Sequence, residues 1–179
     1  MAFDLYAAFV PTARQLLGAL PGLIDKGEEF AEAEGIDLLE ARLADTMWPL
    51  PWHIRACWMH SGYALDQLAA GAFTPDFSDV PDSWDAMRAM VAAAADRMEA
   101  ATPEEIDALA DRPIDFVLGG QTRFTLPGER FLLGFNMPNF QFHATTFYAI
   151  LRMKGVPLGK RDYMGNPAGP MFQQAGAAG

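Results

Sequence analysis

Three imidazoles and one thiol are the side chains of this chain best suited to chemistry: His53, His60, His143 and Cys57. His143 lies near the start of an apolar helical stretch, Pro138-Asn139-Phe140-Gln141-Phe142-His143-Ala144-Thr145-Thr146-Phe147, where a histidine serves either as a ligand or as a hydrogen-bonded core residue. His53 and His60 are two helical turns apart, roughly 10 Å of rise. Ligands that share an ion from one helix sit three or four residues apart, so this pair is not expected to hold the same metal. Around His143, position i−4 is Asn139 and position i+4 is Phe147. His53 and His143, with the Asn139 oxygen as third ligand, would leave open coordination positions for water, as a catalytic centre requires. Asn is a poorer ligand than imidazole, thiolate or carboxylate. The cofactor such a set predicts is one divalent ion: zinc, nickel or manganese. The competing expectation is histidines satisfied in the core or lining a polar cavity. Cys57 is expected to be a buried, inert thiol, and a single cysteine excludes an internal disulfide and every multi-cysteine zinc site.

Other chemistry is excluded by pattern. Gly155 to Lys160 ends in Gly-Lys, but its glycines are too close for a phosphate-binding loop, Arg161 stands where Ser or Thr is needed, and a helix precedes it. There is no nucleophile elbow, dinucleotide fingerprint or His-Glu-x-x-His. Arg42 and Asp45 read as a pair or cap that organises the turn at Pro49, and Lys160-Arg161-Asp162 as a solvated loop. With 13 Lys and Arg against 23 Asp and Glu, the net charge of −10 repels a nucleic-acid backbone. No run reaches the roughly 20 apolar residues of a membrane span, and Met1 to Tyr6 lacks a basic leader, so a cytoplasmic location is expected.

The elements that must position these residues are mostly helical. Across 179 residues, 51% hydrophobic, one sizeable core is expected: a single domain over 1–164, then a Gly/Ala/Pro-rich tail over 165–179. Tyr6, Phe9, Ala13, Leu16, Leu20, Ile24, Gly27 and Phe30 mark one face of a helix from Phe3 to about Ala31, which Pro11 and Pro21 should bend or break. After an acidic connection, a second helix should run from Pro51 to about Gly71. It buries His53, Cys57, His60, Ala64 and Leu68 and leaves Arg55, Asp66 and Gln67 to solvent. A third, capped by Asp82 or Ser83, carries Trp84, Met87, Val91, Ala94 and Met98 inward. Thr102-Pro103-Glu104-Glu105 starts a short helix ending near Asp111. From Pro113 to Gly134 the period changes to alternation, predicting a β-hairpin whose return strand is Arg130 to Leu133. The last helix begins at Pro138 and stops before Gly155. Four amphipathic helices predict an all-α, antiparallel four-helix bundle carrying a small hairpin between its third and fourth helices.

Two segments carry a resemblance. Asn139 to His143, Tyr148 to Arg152 and Gly155-Val156-Pro157-Leu158-Gly159-Lys160-Arg161-Asp162-Tyr163, with Ala41-Arg42-Leu43-Ala44-Asp45-Thr46-Met47-Trp48-Pro49-Leu50, resemble an uncharacterised bacterial domain-of-unknown-function family of the DinB/YfiT-like superfamily. That resemblance implies a four-helix bundle, often dimeric, and a divalent metal held by three histidines, one on the second helix and two at H-x-x-x-H spacing on the fourth. Some superfamily members are thiol-dependent transferases, isomerases or hydrolases. Here His143 matches the second histidine of the fourth-helix pair, Asn139 replaces the first, and His53 matches the second-helix ligand. With one imidazole missing, the expected function is a non-catalytic or degenerate bundle that binds a small molecule in its cavity, acts as a homodimer, or both. Trp48, Trp52, His60, Phe140 and Phe147 would form the pocket. The alternative is a metal-dependent transferase or hydrolase using the reduced His53, Asn139, His143 site.

Overall fold

The computed structural model describes residues 4–165, so most of the expected C-terminal tail lies outside the described residues. Helix α1 spans Leu5–Glu34; the Asp4 side chain accepts from Ala7 N at its start, and Gly35, at φ 65°, closes it by donating to Ala31 and Glu32 carbonyls. It runs unbroken through Pro11 and Pro21, contrary to the expected interruption. Both prolines sit on the exposed face, away from the apolar stripe that packs into the core.

The second expected helix is two. Helix α2, Leu50–Met59, ends at His60, and α3, Gly62–Ala69, restarts after Ser61. The Ser61 hydroxyl donates to the Cys57 carbonyl at 2.6 Å, which satisfies a group the broken helix leaves open. Gly62 is where the chain meets its neighbour: a Cβ there would stand 2.9 Å from Ala94 Cα. The stripe His53, Cys57, His60, Ala64 and Leu68 is buried as its spacing requires. Arg55 is not on the solvent side; it is 1% exposed.

Helix α4, Trp84–Ala100, is capped by Ser83, and α5, Pro103–Asp107, by Thr102. Strands β2, Pro113–Leu118, and β3, Gln121–Pro127, form the hairpin through Gly119-Gly120 at φ 62° and 73°, the left-handed pair a tight two-residue turn needs. A two-residue strand β1, Ala72–Phe73, adds in parallel to β2. The return strand was expected at Arg130 to Leu133. That segment is instead helical: α6, Gly128–Phe131, passes through a π turn, Leu132–Asn136, directly into α7, Met137–Met153. The last long helix therefore starts ten residues before Pro138. A Cβ on Gly128 would collide with the Leu109 carbonyl, so this start requires glycine. Finally α8, Lys160–Met164, replaces the expected solvated loop; Asp162 accepts from Gly159 N and pairs with Lys26 at 2.6 Å.

Helix α1 packs on α4, α4 on α2, α2 on α7, and α7 back on α1. The core these contacts enclose includes Phe9, Leu20, Ile24, Ile54, Met87, Phe140, Phe147 and Ile150, all at most 1% exposed. Burying each such side chain stabilises the fold by about 1.5–3 kcal/mol. The hairpin joins through aromatics: Phe116 stacks on Phe124 at 4.8 Å and meets Phe135 of the π turn edge-on at 5.4 Å.

Candidate functional site

The π turn and α7 set Asn136 and His143 two turns apart on one side of a helix. Helix α2 sets His53 and His60 at the same interval, running the other way. The outcome is two hydrogen-bonded rungs between α2 and α7. In the outer one His53 Nδ1 stands 3.0 Å from His143 Nδ1; in the inner one His60 Nδ1 stands 3.1 Å from Asn136 Oδ1. His53 and His60 thus each face a different side chain of the opposite helix.

Proton positions follow from the partners. His53 Nε2 lies 3.2 Å from the Trp48 carbonyl, which can only accept, so Nε2 carries the proton. Burial lowers the pKa of His53 and outweighs the opposing pull of that carbonyl, so the ring is neutral at pH 7 and its Nδ1 is an acceptor. His143 must then donate from Nδ1, and its Nε2 keeps a free lone pair. Burial, and then the charges His53 and His60 would carry, push His143 down to about 3. Burial takes His60 to about 4, opposed by its bond to Asn136.

His143 is 8% exposed and opens, with His53, onto a cleft of about 210 Å³ lined by Thr46, Met47, Trp48 and Phe142. The Trp48 ring lies nearly parallel to His143, 14° between planes and 6.3 Å between centroids, and Phe142 meets it edge-on at 5.1 Å. Trp48 is 43% and Phe142 54% exposed, large apolar rings left at a surface. The loop of Trp48 is held by backbone bonds from Met47 to Ala44 and from Leu50 to Ala41, with Pro49 and Pro51 fixing its exit. Behind it, Trp52 packs on Trp48 at 4.6 Å, and the Arg55 guanidinium lies over Trp52 at 5.7 Å. Arg55 pairs with Asp76 at 2.9 Å and donates to the Asp79 carbonyl at 3.3 Å. This tethers the loop that brings Phe77 within 6.3 Å of Trp48.

The residues named from sequence thus fall in three places. Trp48, His53 and His143 meet at the cleft; His60 lies deeper, on the inner rung; Phe140 and Phe147 are core residues with no exposure and do not line it. Trp52 backs Trp48 and lines a separate cavity of about 320 Å³ with Asp37, Glu40 and Asp82. Asn139 donates one Nδ2 hydrogen to the Phe135 carbonyl at 2.7 Å, and its Oδ1 is the atom left that could accept or ligate. Among the described residues no group of three or more His, Cys, Asp or Glu could hold a metal ion. The three-imidazole set the resemblance implies is therefore not present, and what this chain supplies is a pair of imidazoles. Cys57 is fully buried beside the Phe140 carbonyl, and burial pushes its thiol up, so it is no nucleophile. Arg42 pairs with Glu40 rather than with Asp45. Asn136 escaped the sequence reading because the helix was started too late; its two-turn spacing from His143, matching that of His53 and His60, was the available signal.

Mostly helical, with a three-stranded edge sheet and polar side chains meeting between two helices, the molecule has the architecture of proteins that build their sites from facing helices. No helix among the described residues is long and apolar enough to cross a membrane. Residues 5–164 match DUF1993, a domain of unknown function, and the chain belongs to that family. It is also similar to the crystal structure of a DinB family member protein from Shewanella denitrificans, at 29% identity and a TM-score of 0.75 over 90% of this chain and 92% of that one. The DinB-like resemblance read from the two segments is thereby borne out. No curated protein matches the chain.

Proposed function

We propose that this is a DinB-like four-helix bundle, α2 and α3 counting as one broken helix, that binds a small molecule without catalysing a reaction. Residues 1–164 are taken as one domain. The observation that carries this reading is His143 at the cleft, its tautomer held by the 3.0 Å bond to His53, under Trp48 and beside Phe142. A neutral Nε2 lone pair accepts a hydrogen bond, and the rings offer an apolar wall, which is the make-up of a ligand cleft. A general base works best with a pKa near the operating pH, and His143 at about 3 is far below it, which favours recognition over proton transfer. Phenol is a suitable probe, a ring for Trp48 and a hydroxyl for Nε2. Titration followed by NMR should shift the Trp48 indole and His143 ring signals saturably. His143→Phe, checked for folding by its melting curve, should weaken binding by about tenfold, the worth of one buried hydrogen bond. No shift at these signals, or equal binding by the variant, would refute the reading.

One observation favours a second reading, a divalent metal on His53 and His143 with Asn139 Oδ1. His53 donates its single ring proton, on Nε2, to a backbone carbonyl and leaves Nδ1 free to ligate, as metal-bound histidines do. His53 Nδ1 and His143 Nδ1, 3.0 Å apart, would be the two imidazole donors, and a zinc, nickel or manganese ion held there would supply Lewis-acid chemistry. Calorimetric titration of untagged protein with each ion separates the two readings: stoichiometric uptake lost in His143→Ala supports the metal, and no uptake of any ion removes it.

A further inference from the structure

Among the described residues, Asn136 Nδ2 is a fully buried donor with no hydrogen-bond partner. Buried amides are normally satisfied, so an orphan of this kind in the interior calls for a partner from outside the chain, an ordered water or a ligand group. Its Oδ1 faces His60 Nδ1 at 3.1 Å, and His60 is 5% exposed. With the amide placed this way, His60 donates from Nδ1, and the pair keeps one donor, Asn136 Nδ2, and one acceptor, His60 Nε2. Turning the amide over exchanges the roles and again leaves one of each. The inner rung therefore offers a donor and an acceptor together, whichever tautomer it adopts.

Neither residue lines the cleft, but the rung lies one ring behind His143, which does. The His60 ring lies within 7° of parallel to His143, 6.3 Å between centroids, and its other neighbours are the apolar rings of Phe73 at 5.7 Å and Phe135 at 5.6 Å. Asn136 is the last residue of the π turn, and such turns inside α-helices occur frequently at functional sites. Neither residue has a charged partner, and burying an unpaired charge beside them would be costly, so the group they receive is neutral.

We propose that His60 and Asn136 form the inner, specificity-setting end of the cleft, and that the ligand is neutral, with a primary carboxamide or hydroxyl on an apolar, aromatic-sized body. The proposal rests on the reading of the cleft as a small-molecule site. Benzamide, benzyl alcohol and toluene, titrated separately into the full chain, test it. The two polar probes should bind about tenfold or more tightly than toluene, since toluene leaves the buried Asn136 donor unmet. Asn136→Leu should abolish that preference while toluene still binds. Toluene binding as tightly as benzamide in the unaltered protein, a preference that survives Asn136→Leu, or a benzamide complex with its carboxamide away from His60 and Asn136 would each overturn the proposal and leave the cleft reading standing. If none of the three binds, both fall.

Discussion

Acidification is expected to unfold this protein through its histidines before its carboxylates are fully protonated. In the unfolded chain His60 and His143 titrate near 6.5; in the folded chain burial holds them at about 4 and about 3. Between these values the unfolded state binds protons that the folded state refuses, so stability is full above about pH 6.5 and falls as pH drops toward the folded values. From pH 7 to pH 4.5 each histidine takes away about 2–2.5 kcal/mol, about 4–5 kcal/mol together, a large share of the roughly 5–15 kcal/mol typical of a domain. His53, also lowered by burial, adds in the same direction. Asp76 and Asp162, held low chiefly by bonds from Ser78 and Lys26, lose their contribution at acid pH as well, so the histidine share must be isolated. Urea denaturation at pH 7 and 4.5 does this when the unaltered protein is compared with His60→Gln/His143→Gln. The double variant should lose about 4 kcal/mol less on acidification. Equal losses in the two proteins, within about 1 kcal/mol, would refute the assignment of buried, neutral imidazoles.

Two further perturbations test the packing around the site. Gly62→Ala forces a Cβ to 2.9 Å from the Ala94 backbone and should cost about 1–3 kcal/mol in urea melts, with a loss under 0.5 kcal/mol counting against the close α3–α4 approach. Asp76→Ala leaves the Arg55 charge buried without its carboxylate, whereas Arg55→Met replaces it with an apolar chain of similar reach. The first should therefore be the more destabilising by about 1–2 kcal/mol, and the reverse order would show that the ion pair does not hold the Phe77 loop.

What could be read from sequence follows the range of the forces involved. The buried stripes of α2 and α4 and the Ser83 and Thr102 caps were legible because each depends on residues within a turn or two. Pro11 and Pro21 misled because the local penalty is real but tolerable on a solvent-facing side, and packing of the long apolar stripe outweighs it. Arg55 was misplaced because its burial depends on Asp76 and Asp79, about twenty residues on, and no helical period reports such a partner. The start of the last helix was missed at Gly128, where the deciding contact is with Leu109. At the site, the buried stripes put His53 and His143 on facing helix sides, where the structure sets them 3.0 Å apart, whereas Phe140 and Phe147 fill the core, because an aromatic at helical spacing looks the same whether it lines a cavity or fills a core.

The paired rungs also dictate how α2 and α7 align along their lengths. Sliding α7 by one turn in one direction would set His60 opposite Phe140 and His53 opposite Phe147, two imidazoles facing only hydrocarbon. Sliding it the other way would set His60 opposite Leu132 and give His53 to Asn139. Either slip strands polar groups in the interior, a penalty that apolar stripes alone would not impose, since Leu and Phe tolerate many neighbours. In coiled coils a single buried Asn fixes alignment at some cost in stability. Two hydrogen bonds spanning 90 and 76 residues of sequence place the same constraint on this helix pair, so only one alignment leaves every imidazole partnered.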